Sequence, residues 1–136
     1  MIYRAIFIGS WEVYFAFAVD GYDIERVLSF MRDCNAPKSV LVHAEELMAE
    51  GNENCGFTYA NQEIKRAIVV IGPTTGGSEF IDTMVHEVHH LAVAIASGLG
   101  LDLESETPAY IAGDSVRALA EIICALGCPD CDKWRH

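Results

Sequence analysis

The sequence predicts an α+β fold in which one small, mostly antiparallel sheet is built from two pairs of strands separated by helices. Three observations carry this. Apolar and polar side chains alternate over residues 11–19; Ile68-Val69-Val70-Ile71 is an unbroken β-branched run; and apolar residues recur at helical spacing in the remaining segments. The 136 residues suit one domain with its own core. Residues 1–127 are expected to form that domain and 128–136 a cysteine-containing tail.

Residues 2–8 and 11–19 flank Gly9-Ser10, and Trp11, Val13, Phe15, Phe17 and Val19 alternate with Glu12, Tyr14, Ala16 and Ala18. A period of two around a two-residue, glycine-containing break reads as a β-hairpin. Asp23 can then cap a helix with Ile24, Val27, Leu28 and Met31 on one stripe, stopped by Asn35-Ala36-Pro37. A second helix over about 39–50 ends at Gly51. Strands follow at 56–60 and 66–72, the latter apolar enough to be covered on both faces.

Pro73-Thr74-Thr75-Gly76-Gly77 leads into the main helix, with Ser78 a suitable N-cap. Its expected core stripe is Ile81, Val85, Val88, Ala92 and Ile95, and it ends at Gly98 or Gly100. A last helix starts near Ser105 to Pro108 and runs through Leu119, Ile122, Ile123 and Leu126 to Gly127.

The 9 Lys+Arg against 20 Asp+Glu give a net charge of -11, and the basic residues are scattered. Such a surface repels phosphate backbones and anionic membranes, so neither nucleic acid nor membrane is an expected partner. No apolar run reaches the roughly 18 residues of a membrane span, and Glu12 interrupts the N-terminal apolar stretch with no cleavage site after it. A cytoplasmic location is the expectation, and five cysteines fit free thiols or metal ligands better than disulfides.

Chemistry concentrates in TMVHEVHHL, residues 83–91. His86 and His90 are four apart, so on a helix both imidazoles reach one ion, while Glu87 projects beside them toward a water on that ion. This is the H-E-x-x-H arrangement of catalytic zinc sites, with the carboxylate as general base. His89 fits neither ligand position as well and reads as a neighbour of the site or a surface residue.

A catalytic zinc commonly takes a third protein ligand. Asp102, Glu104 and Glu106 are the candidates in LDLESETPAYIAG. Glu106 is preferred, because a tight turn through Gly98 and Gly100 would bring the start of the next helix back beside His90. Tyr110, one turn on, could brace a ligand or meet a developing oxyanion. A first-turn carboxylate on the helix dipole is the plainer role for Glu106.

The stretch HEVHHLAVAIASGLGLDLESETPAYIAG, with CGFTY and the β-branched strand before it, resembles small phage- and prophage-encoded zincin-like metallopeptidases, and more distantly minimal gluzincins. The resemblance covers about residues 55–115 and rests on His86, Glu87, His90, Glu106, Ala109 and Tyr110. It implies a zincin-like domain, a Zn2+ cofactor and peptidase chemistry on a peptide or protein substrate.

Cys124, Cys128 and Cys131 have the spacing of a radical-enzyme iron–sulfur motif, but no barrel can follow in five residues. A structural zinc on these cysteines and His136 is an alternative to a loose tail. His43 reads as structural, and Cys34 and Cys55 as thiols at least half-buried. The function expected is thus a zinc-dependent hydrolase, with a zinc-stabilised, non-catalytic binding or assembly protein as its rival.

Overall fold

The computed structural model describes residues 1–100 and 105–127. It is a mixed α+β fold, with one open four-stranded sheet and five α-helices among the described residues. Strands β1 (Ile2–Ile8) and β2 (Trp11–Phe17) form the expected hairpin, with Ile8 opposite Trp11 across Gly9-Ser10. Gly9 turns at φ +57, a region that glycine enters without a Cβ clash.

A 3-10 turn (Gly21–Asp23) leads into α1 (Ile24–Asp33). Asp23 occupies the N-cap position of α1, as expected, but its carboxylate accepts from Asp20 N instead of capping α1. Helix α2 (Lys38–Ala49) follows, and Gly51 leaves it at φ +65. The chain then forms a second hairpin from β3 (Gly56–Asn61) and β4 (Arg66–Ile71).

The sheet order is β1-β2-β4-β3. The two hairpins join through a parallel β2–β4 pair, and β3 is left as an edge. One face of the sheet, with Val13, Phe15, Ala67, Val69 and Ile71, packs on α3 (Gly77–Gly98), α4 (Thr107–Ala118) and α5 (Ala120–Gly127). The other face, with Ala16, Ile68 and Val70, packs on α1 and α2. The β-branched run is therefore covered on both sides, as its composition predicts.

Two helices depart from expectation. Helix α3 begins one residue before Ser78, with Gly76 at its N-cap and no side-chain cap. Its buried stripe runs through Phe80, Met84, Val88, Leu91, Ala92 and Ile95, whereas Val85 is 61% exposed and Ile81 40%. The helix has rotated its larger apolar side chains inward, because Phe80, Met84 and Leu91 bury more surface than the expected Ile81 and Val85.

The expected last helix is two helices that break at Leu119. Ser115, fully buried, donates its hydroxyl to Ile111 O at 2.8 Å, a back-bond that bends helices. The bend lets Leu119 and Ile122 both reach the core. No helix among the described residues is long and apolar enough to cross a membrane.

Candidate metal centre

Helix α3 runs alongside the edge strand β3, and side-chain hydrogen bonds fasten it to the strand at Thr58 and to the residues just before and after the strand, Asn54 and Gln62. Thr83 donates to Asn54 O at 3.3 Å, Thr58 donates to Glu87, and Gln62 donates to Ala94 O at 3.3 Å. Residues 83, 87 and 94 fall within about 40° of one another around a helix of 100° per residue. One narrow stripe of α3 is thus turned to the strand, with Glu87 at its middle.

That position explains the burial of Glu87, which is only 3% exposed. The Thr58 hydroxyl lies 3.2 Å from Glu87 Oε1 and 3.2 Å from Glu87 O, and it shares its one proton between them. Gly56 makes room for the same side chain: a Cβ there would meet Val70 O at 2.6 Å and Glu87 Cγ at 3.1 Å. A larger residue at 56 would push β3 away from both its strand partner and the carboxylate.

His86 and His90 lie about 100° and 60° to one side of Glu87 around α3, both on the open side. Their Nε2 atoms are 3.2 Å apart. Two nitrogens at zinc–imidazole distance in a tetrahedral set would stand about 3.3 Å apart, so the pair fits two ligands of one ion. The donor atoms of His86, Glu87 and His90 all lie within 4.8 Å of one another. Together with Gly56, Thr58 and Ala60 they line an open cleft of ≈ 440 Å³.

The cleft borders an unpaired strand edge. Gly72 N donates to Cys55 O at 2.9 Å, and the β3–β4 register alternates from there. Cys55, Phe57 and Tyr59 therefore turn their backbone groups to β4, and Gly56, Thr58 and Ala60 turn theirs outward. Sequence patterning pointed to a strand here, but the contribution of Thr58 and Gly56 to the site depends on which strand is the edge. A β-hydroxyl and a glycine two residues apart carry no such signal alone.

The other expected residues stand apart from this group. Glu106 is exposed at the N-cap of α4, outside the compact His86–Glu87–His90 set, and accepts from Tyr110 Oη at 3.2 Å. Tyr110 is 67% exposed, and neither residue lines the cleft. Asp102, Glu104, Cys128, Cys131 and His136 lie outside the described residues. His89 faces the groove between α3 and α4, with Val88, Pro108 and Ala112.

The remaining thiols are free but differ in setting. Cys34 is buried beneath the sheet, where burial pushes its thiol up to about 11, so it is a poor ligand at neutral pH. Cys55, expected to be buried or half-buried, is exposed at the start of β3. No known protein family, curated protein or solved structure matches the chain.

Proposed function

We propose that this protein is a zinc-dependent hydrolase, and specifically a small metallopeptidase. The observation that carries the reading is the buried carboxylate of Glu87, fixed by Thr58 beside two imidazoles whose Nε2 atoms converge. Zinc held by His86 and His90 would supply a Lewis acid and bring the pKa of a water near neutrality. Glu87 would accept a proton at that site and return it to a leaving amine, a role supported by the hydrogen bond that orients Oε1 from the Thr58 hydroxyl.

In this reading Glu106 is the third zinc donor and Tyr110 its brace, a part that rests on sequence order and on their mutual hydrogen bond. An extended peptide would pair with the outward backbone groups of Gly56, Thr58 and Ala60. The net charge of -11 favours neutral or basic substrates, and free Cys34, Cys55 and Cys124 accord with the cytoplasm.

One observation favours the non-catalytic alternative. Glu87 belongs to the same compact donor group, so it could itself be the third ligand and leave no base. Glu87→Gln separates the two. The peptidase reading expects zinc content to persist while cleavage of a mixed peptide library falls by about 10²–10⁴-fold, the usual share of a general base. Zinc lost together with the carboxylate would make Glu87 a ligand, and unchanged cleavage would remove it from the chemistry.

A further inference from the structure

Strand β3 borders a second hollow. On the opposite face of the sheet from the histidines, a cavity of ≈ 200 Å³ is walled by Val19, Leu47, Met48, Phe57, Val70 and Pro73. Gly56 and Phe57 line both this cavity and the histidine cleft, so the two meet at the start of the edge strand. We propose that the cavity is a specificity pocket for one apolar side chain, of leucine or methionine type, on a peptide extended along β3. The proposal rests on the peptidase reading above and names its substrate class.

Strand geometry connects the two hollows. A strand added to an edge sends alternate side chains to opposite faces of the sheet, and each side chain shares its face with the residue it sits opposite. Thr58 points to Glu87 and the histidines. Phe57 points the other way, into the cluster of Val19, Met48 and Val70. Neighbouring residues of one bound peptide, opposite Thr58 and Phe57, would therefore address the cleft and the cavity in turn.

The chemistry of the walls selects the side chain. Asp20 is the one charged residue at the rim, and its Oδ1 is occupied by Tyr22 N at 2.9 Å. The other side chains named present hydrocarbon, the Met48 thioether and the Phe57 ring. Against the apolar walls an amine or carboxylate would lose water without gaining a partner; the polar side chains of the lining are those of Asp20 and Asn52, with the Cys55 thiol. The volume is also below the roughly 300–1,000 Å³ of pockets that hold drug-sized ligands, and suits a single side chain.

The test uses zinc-loaded full-length protein and short alanine-based peptides with leucine, methionine, alanine, lysine or aspartate at the central position. Leucine and methionine peptides should be cut with kcat/KM about tenfold or more above the charged ones, the scale of discrimination an apolar pocket gives. Leu47→Asp should reduce that preference about tenfold with bound zinc unchanged. Leu47→Phe, which keeps the wall apolar, should shift the preference from leucine toward alanine. Equal cleavage across the series, or a preference that survives both variants, would overturn the pocket and leave the peptidase standing. If no peptide is cut, methyl NMR with the leucine peptide decides: shifts at Met48 and Val70 retain the pocket and overturn the peptidase alone, and no shift overturns both.

Discussion

The two long sides of α3 hold their polar groups in opposite ways. Toward β3, the helix is fastened through Thr83, Glu87 and Ala94, and the carboxylate at the centre is buried. Toward α4, Val85 is 61% exposed, His89 sits in an open groove, and Glu106 and Tyr110 are exposed and bonded to each other. A sheet edge fixes one half of the candidate site before any ligand arrives. The proposed other half, Glu106 with Tyr110, hangs on the first turn of a separate helix. Preorganisation of that kind matters most for the group that moves protons, since a misplaced base costs rate directly.

Removing the histidines tests the fixed half most severely. His86→Ala or His90→Ala leaves one imidazole, and zinc affinity should fall by well over the 10–100-fold typical of losing an outer hydrogen-bond partner. Isothermal titration with zinc reads this directly, and an affinity within a few-fold of wild type would take the metal away from this cleft. Glu106→Ala tests the hanging half. With Glu106 as third donor, zinc affinity should drop at least as far as loss of an outer partner, about 10–100-fold, but less than without a histidine. An unchanged affinity would confine the metal set to α3 and make Glu106 a helix-end carboxylate.

Much of the fixed half was legible in the chain, and the reasons are local. Spacing of four on a helix fixes where His86 and His90 point, whatever surrounds them. The β-branched 68–71 run fixed its own burial on two faces. What was not legible depended on tertiary choice. The rotation of α3 that buries Phe80 and Met84 and exposes Val85 is a competition between two apolar stripes, won by the one that buries more surface against the sheet. The break at Leu119 turns on a buried serine back-bond that helical periodicity does not register. The parallel β2–β4 pair, which makes β3 the edge, follows from a crossover through α1 and α2 that no local pattern encodes.

Thr58→Val sharpens the comparison at a single oxygen. The substitution keeps the volume and the β-branched shape suited to a strand, and removes the hydrogen bond to Glu87 Oε1. A buried carboxylate that loses a partner should cost about 1.5–3 kcal/mol of stability, read from urea unfolding at pH 7. If Glu87 is the base of a peptidase, cleavage should fall about tenfold or more while zinc affinity moves far less, because the carboxylate is loosened and the imidazoles are not. A variant equal to wild type in both stability and rate would show that backbone packing alone holds Glu87.

The smallest effect belongs to the hydroxyl on the other side. Tyr110 Oη donates to Glu106 Oε2 at 3.2 Å between two exposed side chains, where water competes for both groups. Such a bond contributes little to folding, so Tyr110→Phe should shift the urea midpoint by no more than the equivalent of about 0.5 kcal/mol. Its consequence for zinc depends on whether Glu106 ligates. If it does, losing the brace frees the carboxylate to sample more rotamers, and affinity should weaken about two- to threefold, since an exposed brace restrains only part of a long side chain whose full ordering costs up to ~2 kcal/mol. If the tyrosine instead meets the oxyanion of the substrate, zinc affinity stays constant and kcat falls by roughly 10²-fold, the effect of removing one such donor. Measuring zinc affinity and kcat on the same Tyr110→Phe protein therefore assigns the hydroxyl to the ligand or to the substrate, and no change in either would leave the Tyr110 hydroxyl without a part in the site.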